Sequence, residues 1–86
     1  MPGPYDVRFH PGVSEDFSSI PRNVKDRILT AIDQRLAASP DRYGERLRKS
    51  LRGYWNLQVG DYRVVYEILA RQIRVFGIKR HGVVIP

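Results

Sequence analysis

Arg63 is the residue whose type and surroundings most invite chemistry. It lies inside the apolar run Tyr62-Arg63-Val64-Val65-Tyr66-Glu67-Ile68. An arginine in such a run must reach water, a carboxylate or an anionic ligand. Its planar fork suits a phosphate. A structural pair with Glu67 on the same strand face is the alternative reading. Lys79, Arg80 and His81 close a later apolar run, Ile73 to Ile78. A rigid strand end is a good place for a site, and His81 could carry protons near neutral pH. A lone histidine beside two cations also fits an ordinary surface position. His10, followed by Pro11 and Gly12, reads as a helix-start residue.

Between these positions lies a dense basic stretch. Arg42, Arg46, Arg48, Lys49 and Arg52 are set against only Asp41 and Glu45. It reads as an electrostatic footprint for phosphates, with a solvated loop as the bland alternative. Tyr54 could stack a base, whereas alternation places Trp55 in the core. No glycine-rich phosphate loop, metal-ligand spacing or nucleophilic triad accompanies these residues. An enzyme built from them would use no metal or cofactor and would work by charge and positioning. RNA cleavage suits that description, because the 2′-hydroxyl supplies the nucleophile and the protein supplies cations with a modest acid and base.

The elements that must position these groups follow from period and punctuation. Tyr5 to Phe9 alternates as a short strand with one buried face. Pro11 to Ser19 reads as a short helix through Val13, Phe17 and Ile20. A second helix of about 18 residues follows Pro21, with Val24, Ile28, Ala31, Ile32 and Leu36 as its stripe, until Ser39-Pro40 stops it. Leu47 and Leu51 are expected to tether the basic segment to the core. The period then becomes two. Trp55, Leu57 and Val59 alternate with Asn56 and Gln58, Gly60-Asp61 turns the chain, and Tyr62 to Ile68 returns as a hairpin. A second turn at Ala70-Arg71-Gln72 leads to a third strand, apolar enough for the sheet centre. Val83 to Pro86 could form a last short strand. The expected fold class is α+β: an N-terminal strand, two helices, then an antiparallel meander. The helices should cover one sheet face, leaving Tyr54, Asn56, Gln58 and Arg63 to line the other.

With 86 residues, the chain is read as one domain over residues 1–86 with a modest core. Fifteen Lys and Arg against nine Asp and Glu give a net charge of +6, which attracts polyanions or an acidic partner. There is no cysteine, hence no disulfide framework, and no apolar run long enough for a membrane helix. Met1-Pro2-Gly3-Pro4 lacks the pattern of a signal peptide. A cytoplasmic protein that does not bind membranes is expected.

The segment Leu47 to Ile68, above all Gly60-Asp61-Tyr62-Arg63-Val64-Val65-Tyr66, resembles the central signature of RelE/ParE toxins. Tyr5 to Phe9 and Asp16-Phe17…Ile20-Pro21 match as well, so the resemblance spans almost the whole chain. It implies the RelE-like microbial ribonuclease fold and a toxin of a type II toxin–antitoxin pair. RelE-like members cut mRNA on the ribosome; ParE-like members poison DNA gyrase. It also implies a cognate acidic antitoxin, through which alone operator DNA would be reached. Arg63 corresponds to the family's phosphate-binding arginine and Arg80 to its C-terminal arginine. His81 is a candidate proton carrier. Arg46, Arg48, Lys49, Arg52, Tyr54 and Lys79 are expected to hold RNA. Two departures stand out: Asn56 and Gln58 replace residues that are basic in many relatives, and the C-terminal tyrosine of efficient nucleases has no counterpart.

Overall fold

The computed structural model describes residues 4–80. Strand β1 (Asp6–Phe9) leads into helix α1 (Val13–Ser18) and helix α2 (Arg22–Ala31), which ends in a π-helical turn at Ile32–Leu36. A single turn, α3 (Pro40–Tyr43), precedes the two-residue strand β2 (Glu45–Arg46) and a 3-10 turn at Lys49–Leu51. Strands β3 (Trp55–Val59), β4 (Tyr62–Leu69) and β5 (Gln72–Arg80) complete the described chain. The sheet order is β1-β5-β4-β3-β2. The meander from β2 to β5 is antiparallel, whereas β1 runs parallel to β5. The sheet is therefore mixed. Its central strand is β4, with β5 as an interior neighbour.

Alternation sends one set of side chains to the helices. Leu57, Val64, Tyr66, Ile73, Val75 and Ile78 form the core with Val13, Ile20, Ile28, Ile32 and Leu36. Tyr66, Ile28, Leu36, Ile73, Val64 and Val75 are fully buried, and each such apolar side chain contributes about 1.5–3 kcal/mol. The expected stripe on α2 is thus the packing face. Its last turn differs from a regular α-helix: Ala37 N–H donates to the Ile32 carbonyl at 3.0 Å, five residues back. The wider turn keeps Ile32, Leu36 and Ala37 all buried.

Both hairpins close on two residues, since Val59 pairs with Tyr62 and Leu69 with Gln72. Gly60 at φ 58 supplies the left-handed geometry cheaply, while Ala70 adopts φ 54 despite its Cβ. The basic segment is not one loop. Its first part forms α3 and β2, and Leu47 and Leu51 are only partly buried and lie outside the core cluster. The tether is backbone: Leu47 N–H donates to the Tyr54 carbonyl and Tyr54 N–H to the Leu51 carbonyl. A second anchor precedes it. The Tyr66 hydroxyl donates to the Pro40 carbonyl at 2.6 Å, within the core. Burial first, and the Asp41 carboxylate second, hold this phenol above the ordinary phenol range. The strand expected at Val83 to Pro86 lies outside the described residues.

Candidate nucleic-acid interface

The face of the sheet away from the helices carries the polar positions of each strand. On β3, Asn56 and Gln58 alternate with the core residue Leu57, and Gln58 stands directly opposite Arg63 of β4. Across β4 in the other direction, Arg63 is in register with Lys79 of β5. Arg63, Gln58 and Lys79 therefore form one row across three strands. Arg63 is half-buried with its Nε shielded from solvent, whereas Gln58 and Lys79 are exposed. The pairing of β4 with β5 thus brings a half-buried guanidinium and an exposed ammonium to neighbouring strands of one face. The Glu67 carboxylate, four residues along β4 from Arg63, approaches Arg74 at 3.9 Å.

Lys79 is placed by α1. The Asp16 carboxylate lies 3.6 Å from its Nζ and accepts the Ile78 N–H at 2.9 Å. At Ile78, strand β5 has run past the end of β1, so Asp16 satisfies a backbone donor that the sheet edge would otherwise expose. The stem of Lys79 crosses Gly77, where a Cβ would come within 3.2 Å of Lys79 Cε. Nothing in the period of α1 singled out Asp16 for this task, because its partners are 62 and 63 residues away in sequence, in a strand whose placement is tertiary.

The structure divides the other expected residues. Arg80 pairs with Tyr62, which packs toward the core, so the pleat directs Arg80 to the opposite side from Arg63. Arg46 is in register with Trp55 and lies over its indole ring at 5.1 Å, on the helix side of the sheet. Trp55 itself stacks on Tyr66, as its expected core position requires. Arg48, Lys49 and Arg52 are exposed in the turn that delivers Tyr54 to the sheet. Lys49 adopts φ 58 there, a conformation that costs a lysine energy. Tyr54 stands on the open face and meets Phe76 edge-on, with ring centroids 5.1 Å apart. Phe76 was not legible as a surface residue. It is the extra residue of a β-bulge, where the register steps from Val65–Gly77 to Tyr66–Val75 and strict alternation fails. His81 lies outside the described residues.

Residues 7–83 match the model of the ParE toxin of the type II toxin–antitoxin system parDE. The chain belongs to the RelE/ParE superfamily of type II toxins. A RelE toxin of Mycobacterium tuberculosis is 32% identical over 65 residues, covering 76% of this chain and 67% of that one. Among solved structures, the RelBE2 toxin–antitoxin complex of M. tuberculosis contains a chain that superposes with a TM-score of 0.85 at 24% identity, over 94% of this chain and 95% of the other. A chain of the RelE–RelB complex of Pyrococcus horikoshii gives 0.72 at 24% identity, over 94% and 99%. A chain of the YoeB–YefM complex of Staphylococcus aureus gives 0.62 at 25% identity, over 90% and 97%. In this RelE/ParE-family fold the antiparallel pairing of β4 with β5 sets Arg63 beside Lys79. No helix among the described residues is long and apolar enough to cross a membrane.

Proposed function

We propose that this toxin cuts mRNA on the ribosome and that the open sheet face is its substrate face. The observation that carries the reading is the row Gln58, Arg63 and Lys79, in which a shielded guanidinium and an exposed ammonium converge on the same surface. The reaction would be a transesterification. The 2′-oxygen bonds to the adjacent phosphorus as the P–O5′ bond breaks, the 2′-hydroxyl proton passes to a base, and an acid protonates the departing 5′-oxygen. Charge builds on the non-bridging oxygens, and Arg63 and Lys79 would stabilise it. Arg80 would act from the strand end, and His81 would carry protons. Arg48, Lys49 and Arg52 would hold backbone phosphates beside Tyr54, and Arg46 would reach them from the Trp55 side.

The partner that silences such a surface would be a cognate acidic antitoxin. The complexes named RelBE2, RelE–RelB and YoeB–YefM support this, and so does the net charge of +6. Its acidic segment would cover Arg63 and Lys79 and exclude phosphate. Gyrase poisoning is the second reading. It is favoured by the ParE family model and by the neutral Asn56 and Gln58.

The test is expression of the wild type and Arg63→Ala, with growth, circular dichroism and a cell-free translation reaction in which mRNA ends are mapped. Cleavage within translated mRNA that is lost in Arg63→Ala, with an unchanged spectrum, is the expected result. Intact mRNA together with inhibited gyrase supercoiling would replace this reading with the second.

A further inference from the structure

We propose that the seam between β1 and β5 is a second nucleotide subsite, in which Arg8 and Arg74 hold a phosphate and Phe76 with His10 supports a base of the same single-stranded RNA. This rests on the reading of the open face as the substrate face. Arg8 of β1 and Arg74 of β5 are in direct register, and both are exposed. Like charges placed opposite each other across strands destabilise a sheet. Asp6 and Glu67 offset them: Arg8 holds the Asp6 carboxylate through Nε and Nη2, each at 2.8 Å, and Arg74 lies 3.9 Å from Glu67. Each guanidinium has five N–H donors, and these contacts, with the Arg74 Nε bond to Gln72, use only part of them. The remaining donors are available to a ligand over the seam.

The other end of the cleft is aromatic. Phe76 lies with its ring centroid 6.2 Å from that of His10 and 5.1 Å from that of Tyr54. His10 Nδ1 accepts the Gly12 N–H at 3.0 Å. The neutral ring therefore carries its proton on Nε2, which is left as a donor. The expected role of His10 at the helix start is thus fulfilled by one nitrogen, and the second is spare. Arg8, His10, Arg74 and Phe76 line a cleft of about 210 Å³. That is below the size of pockets that enclose whole cofactors, and it suits one planar ring with its phosphate alongside. Two forks, an imidazole donor and an aromatic edge form the combination by which single-stranded nucleic acid is held without sequence preference. An acidic peptide would use the arginines but would leave the ring pair without purpose.

The subsite is continuous with the first. Glu67, in register with Arg74, is four residues along β4 from Arg63, which places the two arginine rows about 13 Å apart on one face. A single phosphate cannot touch both, so they would serve different phosphates of one strand.

The experiment measures binding of the full chain to a fluorescent 2′-O-methyl RNA pentanucleotide, which cannot be cleaved, and to an abasic oligomer of the same length. Wild type, Phe76→Leu, Arg74→Gln and Arg63→Ala are compared, with circular dichroism to confirm the fold of each. Phe76→Leu should weaken the RNA about five- to hundredfold and leave the abasic oligomer within about twofold. Arg74→Gln should lower the slope of log affinity against log salt by about 0.7 for both probes. RNA affinity unchanged in Phe76→Leu and Arg74→Gln but reduced in Arg63→Ala overturns the subsite and leaves the proposed function standing. The same follows if those two variants weaken only antitoxin capture. Loss in Phe76→Leu and Arg74→Gln without loss in Arg63→Ala supports the subsite and removes Arg63 as the anchor.

Discussion

Removing the Tyr66 hydroxyl should cost stability by an amount that depends on Gly44. The hydroxyl donates to the Pro40 carbonyl at 2.6 Å, and that carbonyl also accepts the Gly44 N–H at 3.2 Å. Tyr66→Phe leaves the acceptor with its weaker partner, so the cost falls toward the low end of the range for a disrupted buried hydrogen bond, about 1–2 kcal/mol. For a domain of this size, that is a fall in Tm of about 4–16 °C. Gly44→Ala attacks the same spot from the other side. Its Cβ would overlap the Tyr66 hydroxyl and come within 2.8 Å of Tyr66 Cζ, so something must shift, at about 1–3 kcal/mol. In the double variant the hydroxyl is gone and most of the overlap with it. The two changes should therefore be less than additive by about 1 kcal/mol, against about 0.3–0.5 kcal/mol of scatter for independent sites. Urea unfolding of all four proteins measures this. Additive losses would refute the claim that the hydroxyl is what excludes a side chain at Gly44. Because Tyr66 points away from the open sheet face, binding of RNA to that face should stay unchanged throughout.

Ala70→Gly should stabilise the chain by about 0.5–1 kcal/mol, since Ala70 holds φ 54 in an exposed turn; a thermal melt with unchanged or lower Tm would count against strain there. Asp16→Ala should cost about 1–3 kcal/mol by orphaning the Ile78 N–H, whereas Asp16→Asn keeps an acceptor and should lose about 1 kcal/mol or less, the share of a half-exposed ion pair. Equal losses in urea would mean that the ion pair dominates. Stability should also decline at alkaline pH. The Tyr66 phenol titrates higher when folded than when unfolded, so the folded state binds more protons above pH ~10 and that contribution is lost as pH rises toward the folded value. Tyr66→Phe should lack this component of the alkaline loss when unfolding is followed against pH.

Much of this protein is written in local patterns. The stripe Val24, Ile28, Ala31, Ile32 and Leu36 identified the packing face of α2, and the alternation around Leu57 and Val64 identified which side of the hairpin is buried. Both follow from period alone, because a buried face recurs at the repeat of its own element. The same alternation put Arg63, Asn56 and Gln58 on the open face, and Gly60-Asp61 ended the first hairpin where the structure ends it, whereas Gln72, read as part of the second turn, is the first residue of β5. The family signature is also a local string, Gly60 to Tyr66, and needed no fold to be read.

Tertiary structure decided what stands next to what. Register is a relation between strands, and a shift of one residue exchanges the faces. That relation pairs Arg63 with Lys79 and sends Arg80 to the side of Tyr62. It carries Arg46 to the Trp55 side, over the indole ring. The parallel docking of β1 on β5 brings Arg8 to Arg74 and His10 to Phe76, although more than 60 residues separate each pair in the chain. The bulge at Phe76 breaks the repeat on which any sequence reading depends, and so turns an aromatic residue outward without a local sign. A chain's periodicity encodes which face each residue prefers; only closure of the sheet determines which residues share that face as neighbours.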